Sequence, residues 1–145
     1  MVNDRSQRKV VLIFGDPGNG KSYLANQLRQ RYGYDLISLD DTYVAFVKER
    51  YPDLYLPAIS QVIAQHFQTM LQHYNGAHKA WQEHVASLVE ARSGLDPLVA
   101  VEGFLLLPVL DAVQAALAGK AIVTIVEARA KQYFVGSSVE EIHGR

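Results

Sequence analysis

An eight-residue pattern near the start of the chain constrains its fold more than any other feature. Residues 15–22 read Gly-Asp-Pro-Gly-Asn-Gly-Lys-Ser, which fits G-x-x-x-x-G-K-[ST]. The continuously apolar residues 10–14 precede it, as in a strand that is buried on both faces of a sheet. Leu24 and Leu28 follow at helical spacing, and Gly33 is a helix stop signal. The sequence therefore predicts a strand, a glycine-rich loop and a helix in direct succession.

Each fixed position of this loop has a physical reason if the loop holds phosphates. Glycines let the backbone curl so that successive N–H groups point at an anion. Lys21 would place a charge by the β- and γ-phosphates, and Ser22 would offer a hydroxyl to Mg²⁺. The following helix would aim its positive end at the same phosphates. The predicted nucleotide-binding residues are Gly15, Asp16, Pro17, Gly18, Asn19, Gly20, Lys21, Ser22 and Tyr23. The alternative is a glycine-rich turn without a ligand.

Apolar patterns along the rest of the chain predict alternating strands and helices. Besides the first strand, we expect strands at residues 36–39, 98–101 and 121–126, and helices at residues 42–50, 57–74, 81–94 and 108–117. The helices at residues 57–74 and 81–94 are predicted to form a helical hairpin, at about residues 57–94. This alternation predicts one α/β domain over residues 1–145, a mostly parallel sheet with helices on both faces.

The last twenty residues fit two interpretations. A fifth strand at residues 131–135 would be followed by a short helix at residues 139–142, capped by Ser138. Alternatively, a helix continues from Glu127.

Composition narrows the classes of protein that the chain can belong to. The chain has 145 residues, 49% of them hydrophobic and 20% charged, as expected for one globular domain. Its net charge of −1 lacks the basic excess of nucleic-acid-binding proteins, and without cysteine it has neither disulfides nor thiolate metal sites. No apolar run reaches the roughly 18 residues that cross a bilayer, and the start lacks a secretory signal. We expect a compact, complete, cytoplasmic enzyme with no nucleic-acid or membrane partner. The sequence does not indicate its oligomeric state.

Carboxylates follow the second and third predicted strands. Asp40 and Asp41 come after one strand and Glu102 after the other. Since ligands bind beyond the carboxyl ends of parallel strands, these side chains are predicted on the same edge as the loop. A carboxylate there can accept the proton of an attacking hydroxyl or help to position Mg²⁺. Alternatively, an Asp caps the helix at residues 42–50, and Glu102 is a surface turn residue. Two adjacent carboxylates allow one to cap and one to function.

Three segments together resemble the small-molecule kinases of the uridine kinase and nicotinamide riboside kinase type. They are the glycine-rich loop, Ser38-Leu39-Asp40-Asp41-Thr42-Tyr43 and Val101-Glu102-Gly103-Phe104-Leu105-Leu106. The resemblance covers roughly residues 1–107, most strongly these segments. It implies the three-layer P-loop NTPase fold and the use of ATP and Mg²⁺ to phosphorylate a hydroxyl of a small molecule, nucleoside-like as a first guess.

The resemblance also implies roles for individual residues. Asp40 would be the base for the acceptor hydroxyl, Tyr43 a wall of the acceptor pocket, and Glu102 a metal or ribose contact, with Lys21 and Ser22 as above. These kinases carry a lid with two or more arginines after the fourth strand, where this sequence offers Arg129 and Lys131.

A second hypothesis is a nucleotide-dependent switch, or an ATPase that a partner stimulates and that has no small-molecule acceptor. The small number of lid cations favours it, whereas the lack of an acidic pair after the third strand weighs against it. A kinase that acts on a nucleotide sugar or a toxin-like target is also compatible with the same core.

The aromatic and basic residues of the central region each have two interpretations. Tyr43, Tyr51, Tyr55 and Trp81 either stack on an acceptor or pack in the core. Arg50 and Arg92 either bind an anionic acceptor or lie at exposed helix ends. The five histidines lack metal-site spacing and are expected to be solvated or to pack in the hairpin.

Overall fold

Four parallel strands form the centre of the computed structural model, which describes residues 8–15, 20–128 and 139–144. The strands lie in the order β2-β3-β1-β4. Their bounds are β1 Lys9–Phe14, β2 Asp35–Ser38, β3 Leu98–Glu102 and β4 Ile122–Glu127. Every pairing between neighbours is parallel. The predicted parallel sheet is confirmed, with strand ends within one residue of those expected.

Six helices surround this sheet in the described residues. They are α1 Lys21–Tyr32, α2 Leu39–Arg50, α3 Ile63–His73, α4 Ala77–Leu95, α5 Leu110–Leu117 and α6 Val139–Gly144. Short 3-10 helices lie at Pro52–Leu54, Ile59–Val62 and Phe104–Val109. Within this part of the chain, none of the helices combines the length and apolarity needed to cross a membrane.

The side chains of β1 alternate between two hydrophobic cores, one on each face of the sheet. Val10 and Leu12 belong to the larger core, to which α2, α3, α4 and α5 contribute. Val11 and Ile13 belong to the smaller core, with α1 and α6. Because both faces of β1 are buried, its sequence is a continuous apolar run. The prediction of helices on both faces is confirmed.

The start of α2 corrects one prediction. β2 ends at Ser38 and α2 begins at Leu39, three residues before the predicted helix. Ser38 is the N-cap, since its Oγ accepts a hydrogen bond from the Asp41 backbone N at 3.3 Å. Asp40 and Asp41 therefore lie in the first helical turn, where the helix dipole favours negative charge, and do not cap it.

Two consecutive helices, α3 and α4, lie between β2 and β3 where the hairpin is predicted, but α3 starts later than predicted. Pro57 lies in a turn, residues 59–62 form a 3-10 helix, and the regular helix begins at Ile63. Ile59 and Val62 are three residues apart, a spacing that fits a 3-10 helix as well as an α-helix. Asn75 and Gly76 separate the two helices, and Gly76 has a left-handed φ of 89°.

The short C-terminal helix α6 agrees with the first interpretation of the last twenty residues. The alternative helix continuing from Glu127 is wrong, because Glu127 is the last residue of β4. The predicted fifth strand and Ser138 lie outside the described residues. His143 attaches α6 to the domain, because its Nδ1 lies 2.7 Å from the Tyr34 hydroxyl and its ring stacks on Tyr32 at 3.9 Å.

An ion pair ties the end of α4 to β2 and predicts a pH-dependent contribution to stability. Arg92 donates from Nε and Nη2 to the two Asp35 carboxylate oxygens at 2.8 and 3.0 Å. These hydrogen bonds lower the pKa of Asp35. A carboxyl pKa lowered by folding stabilises the fold above its unfolded pKa, and this stabilisation is lost as the pH falls through the folded pKa.

We therefore expect Asp35→Asn to lower the free energy of unfolding at pH 7 by at most about 1 kcal/mol, because the pair is partly exposed. At about pH 3 the difference should be smaller, because the carboxyl of the unfolded chain is then mostly protonated and the stabilisation falls as the pH drops from the unfolded pKa of about 3.9 towards the lower folded pKa. Urea denaturation at both pH values measures it, with the exposed Asp53→Asn as control. A loss of equal size at both pH values would contradict the assigned role of the charge.

Candidate functional site

The carboxyl ends of the strands meet at one edge of the sheet. Glu102 at the end of β3 is in register with Ser38 of β2 and Ile13 of β1, and Phe14 is in register with Glu127 of β4. The chain leaves β1 through α1 towards β2, whereas it leaves β3 through α5 towards β4. The two connections run in opposite directions and on opposite faces of the sheet, since α1 packs in the smaller core and α5 in the larger core. Open parallel sheets form a ligand crevice between two neighbouring strands whose connections leave on opposite faces.

The two described ends of the glycine-rich loop lie at this crevice. A Cβ on Gly15 would collide with the Ala128 carbonyl oxygen, so the chain can pass this close only as glycine. Gly20 has a left-handed φ of 90° and leads directly into α1, whose N-terminus has no hydrogen bond from a capping side chain among the described residues. Asp16, Pro17, Gly18 and Asn19 lie outside the described residues.

The predicted residues Lys21 and Glu102 are both buried at this edge. Their exposed fractions are 7% and 8%, whereas Ser22 and Tyr23 are exposed on the first turn of α1. Burial and the charge of Asp40 raise the pKa of Glu102, while the Lys21 ammonium and a hydrogen bond with Ser38 act in the opposite direction. Lys21 and Asp40 therefore both lie within electrostatic range of Glu102.

Asp40 is held in place by the segment that follows β3. Its Oδ1 accepts a hydrogen bond from the backbone N of Phe104 at 3.3 Å. A Cβ on Gly103 would lie 2.7 Å from Leu39 Cβ and 3.2 Å from Asp40 Oδ1. Glycine at position 103 thus allows the N-terminus of α2 to approach the end of β3, which brings the carboxylate of Asp40 beside Glu102.

Tyr43 lies behind this site rather than on its surface. Its side chain is 0% exposed, and burial raises the pKa of its hydroxyl. His66 Nε2 donates to the Leu54 carbonyl at 2.6 Å, so its Nδ1 accepts from the Tyr43 hydroxyl at 2.8 Å. The Trp81 ring, also fully buried, meets the ring of Tyr43 edge-on at 5.3 Å. This placement differs from the predicted wall of an acceptor pocket, and both aromatic rings pack in the core.

A cavity of about 370 Å³ opens beside the end of β1. Phe14 and Gly15 line it on one side, and the segment after β3 lines it with Phe104, Leu105, Leu107 and Pro108. α3 contributes Ala64, Phe67 and Gln68, and the end of β4 contributes Glu127. We call this cavity the edge pocket. Its size lies near the lower end of the roughly 300–1,000 Å³ typical of small-molecule sites.

The remaining predicted residues lie away from the edge pocket or outside the described residues. The two lid cations Arg129 and Lys131 are among the latter. Arg92 pairs with Asp35, and Arg50 lies over the Phe46 ring at 5.5 Å. The Tyr51 ring packs on Tyr74 at 4.5 Å, and Lys48 lies over the Tyr55 ring at 5.5 Å.

Acidic and histidine side chains do not gather into a preformed metal cage in the part of the chain that the structure describes. There, no group of three or more His, Asp or Glu side chains is arranged to hold an ion. Mg²⁺ in nucleotide sites needs only one or two protein ligands, because phosphates and water supply the rest. Ser22 at the start of α1 and Glu102 at the end of β3 carry oxygen donors, and they stay the predicted ligands of such a site.

Sequence reasoning missed several residues of the edge pocket. Glu127 follows the same rule as Asp40 and Glu102, since it ends a parallel strand, and that rule could have identified it. Phe104 belongs to the segment at residues 101–106 that carries part of the family resemblance, but that resemblance predicted no role for its ring. Gln68 had no signal in the sequence, because only the packing of α3 places it at the pocket.

Comparison with known proteins does not assign this chain to a family. No protein-family model matches it, and no curated protein is significantly similar to it.

Proposed function

We propose that this protein is a P-loop kinase that transfers the γ-phosphate of ATP, with Mg²⁺, to a hydroxyl of a small molecule, with a nucleoside-like compound as the first candidate. The observation that carries the proposal is that Lys21 at the start of α1, Glu102 at the end of β3 and Asp40, which is bonded to the Phe104 backbone N, lie at the carboxyl edge of the sheet, where Phe104 also lines the edge pocket. A phosphate-binding residue, a base and an acceptor space are the parts that phosphoryl transfer requires.

The glycine-rich loop and α1 would hold the phosphates. The pattern at residues 15–22 would supply backbone N–H groups, and the start of α1, which no described side chain caps, would add its positive dipole end. Lys21 would lie by the β- and γ-phosphates. Its burial strengthens this interaction, because a charge in low-dielectric surroundings attracts phosphate more strongly than a solvated one does.

Mg²⁺ would be held by the Ser22 hydroxyl together with Glu102. Oxygen donors of this kind suit a hard cation. When bound, the ion neutralises developing charge on the phosphates. Only the carboxylate form of Glu102 can serve as a ligand, and burial raises its pKa, so metal binding should weaken on acidification at a higher pH than for an exposed carboxylate.

Asp40 would act as the base for the acceptor. The acceptor oxygen forms a bond to the γ-phosphorus while the bond from that phosphorus to the β–γ bridging oxygen breaks. The hydroxyl proton passes to the Asp40 carboxylate and ADP leaves. The hydrogen bond from Phe104 N fixes the orientation of Asp40, which reduces the cost of ordering it during the reaction.

ADP formation with Mg²⁺, measured with and without acceptors, tests the proposal. The panel contains nucleosides, nicotinamide riboside, simple alcohols and sugars, and phosphorylated products are identified by mass spectrometry. We expect ADP and a phosphorylated acceptor in equal amounts. ATP binding with hydrolysis that no acceptor increases would contradict the kinase and would favour the alternative, a switch or an ATPase that a partner stimulates.

A further inference from the structure

The hydroxyl of Tyr43 and the ring of His66 form a buried hydrogen-bonded pair. Tyr43 is 0% exposed and His66 is 5% exposed, and the Tyr43 hydroxyl donates to His66 Nδ1 at 2.8 Å. His66 Nε2 donates in turn to the Leu54 carbonyl at 2.6 Å, so both ring nitrogens have a partner. A fully paired polar network in apolar surroundings favours one arrangement of the elements that carry it.

This pair joins two helices that both contribute to the candidate site. Tyr43 is on α2, three residues after Asp40, and residues at this spacing are neighbours on one helix face. His66 is on α3, next to Phe67, whose ring meets the ring of Tyr43 edge-on at 6.0 Å and lines the edge pocket. The pair therefore links the helix that carries the proposed base to a helix that forms one wall of the edge pocket.

The hydroxyl of Tyr43 adds a restraint that its ring does not provide. The ring packs against Phe46 at 6.5 Å and Trp81 at 5.3 Å, contacts that a phenylalanine ring would also make. Apolar contacts are not directional, so they allow small shifts of α2 relative to α3. A hydrogen bond weakens steeply when its angle changes. The hydrogen bond to His66 thus restricts movements that apolar packing permits.

The orientation of Asp40 is sensitive to such movements. Its Oδ1 accepts from the Phe104 backbone N at 3.3 Å, slightly beyond the usual range of about 2.7–3.2 Å for this kind of bond. A small displacement of the start of α2 away from the segment after β3 would break it. The contact between Asp40 and this segment therefore depends on what holds α2 in place.

We propose that Tyr43 and His66 are positioning residues, whose hydrogen bond holds the start of α2 where Asp40 meets both the Phe104 amide and the acceptor in the edge pocket. Calling Asp40 the base rests on the proposed function, whereas its placement against Phe104 does not. Loss of the bond lets the Asp40 carboxylate move relative to the acceptor hydroxyl. The rate of transfer then falls, although every group that binds ATP is still present.

Amide substitutions at position 66 separate the two hydrogen bonds of the ring. The side-chain amide of Asn ends near the place of Nδ1, and that of Gln reaches the place of Nε2. His66→Asn therefore keeps an acceptor for the Tyr43 hydroxyl, whereas His66→Gln keeps only the donor to the Leu54 carbonyl. Tyr43→Phe removes the same hydrogen bond from the other side and keeps the aromatic ring. His73→Gln, at an exposed position of the same helix, is the matched control.

Amide hydrogen exchange, measured by NMR without nucleotide, tests the placement of Asp40 independently of activity. The Phe104 amide bonds to Asp40, and the neighbouring Gly103 amide bonds to the Ile13 carbonyl of β1 at 3.3 Å. Tyr43→Phe and His66→Gln should speed exchange at Phe104 relative to Gly103 by about three- to tenfold, as for one lost hydrogen bond. His66→Asn and His73→Gln should leave this ratio within about twofold.

A pair that only stabilises the core would change the exchange of both amides equally, because both would then exchange through general loosening of the fold. An unchanged ratio in Tyr43→Phe and His66→Gln therefore overturns the inference. Equal changes of the ratio in His66→Asn and His66→Gln overturn it as well, since only His66→Gln loses the acceptor for Tyr43.

Transfer kinetics separate positioning from binding. They are measured with the compound of the panel above that gives the most phosphorylated product. We expect kcat to fall about 10- to 100-fold in Tyr43→Phe and His66→Gln, with KM for the acceptor and affinity for ATP within about threefold of the wild type. His66→Asn should restore most of the rate. An unchanged kcat, or a weakened acceptor KM with kcat retained, overturns the positioning role.

The proposed function and the positioning role can fail separately. If the Phe104 exchange ratio changes as expected but the wild-type protein phosphorylates no compound of the panel, the proposed function fails and the placement of Asp40 by the pair stands. If the wild-type protein transfers phosphate but Tyr43→Phe changes neither the exchange ratio nor kcat, the positioning role fails and the proposed function stands.

Discussion

We expect Asp40→Asn to lower the rate of phosphoryl transfer by about 10²- to 10⁴-fold, the usual contribution of a general base, while ATP affinity is retained or increases. The amide keeps an oxygen that can accept the hydrogen bond from Phe104 N, so the start of α2 should not move. The substitution removes one negative charge near the phosphates, and it removes the group that would accept the proton. Single-turnover transfer and equilibrium ATP binding measure the two effects separately.

Asp41→Asn is the matched control for this prediction. Asp41 is the neighbouring carboxylate, it is exposed, and its backbone N bonds to the Ser38 cap. We expect its substitution to change the transfer rate less than about threefold, as for a surface position. Similar losses in both variants would show that the charge of the first turn matters in general and that Asp40 is not the base.

The Asp40 substitution should also change the pH dependence of the site. The Asp40 charge is one cause of the raised pKa of Glu102, after burial. In Asp40→Asn the pKa of Glu102 should therefore fall, and Mg²⁺-dependent ATP binding should persist to a lower pH. An unchanged pH profile would contradict the electrostatic coupling between these two carboxylates.

The largest expected effect on stability comes from Trp81→Ala, which we expect to lower the free energy of unfolding by about 3–5 kcal/mol. Trp81 is 0% exposed and packs against Phe46 at 5.2 Å as well as Tyr43. Its indole Nε1 donates to the Leu105 carbonyl at 3.5 Å. Removing the ring leaves a cavity between α4 and α2, the helix that carries Asp40.

Urea denaturation at pH 7 measures this loss, with Leu95→Ala as control. Leu95 ends the same helix and is 85% exposed, so its truncation should cost no more than about 0.5 kcal/mol. Trp81→Phe, which keeps an aromatic ring in the core, should cost less than Trp81→Ala. A loss below about 1 kcal/mol for Trp81→Ala would contradict the position given to this ring at the centre of the larger core.

The strands were predictable because of how they are buried. β1 and β3 are covered on both faces, so each is a continuous apolar run that is easily recognised in the sequence. Gly33 and Asn75-Gly76 marked breaks for a similar reason, because the left-handed backbone at Gly33 and Gly76 favours glycine. These features are local, and local chemistry determines them.

Features that depend on tertiary contacts were less predictable. The start of α2 could have been found, since Ser38 is a good N-cap followed three residues later by an acid. The burial of Tyr43 could not, because it depends on α3 bringing His66 to its hydroxyl. The strand order and the edge pocket arise from pairing between distant segments, for which a single sequence holds no direct signal.

Calorimetric titration of ATP with Mg²⁺ into the wild-type protein, Lys21→Ala and Lys79→Ala tests the central claim most directly. Lys79 is an exposed lysine on α4 and serves as the matched control. The account predicts one ATP per chain, with affinity reduced about 10- to 100-fold in Lys21→Ala, as for a lost charged hydrogen bond, and unchanged in Lys79→Ala. No binding to the wild type, or equal binding to the wild type and Lys21→Ala, would contradict a nucleotide site at the glycine-rich loop.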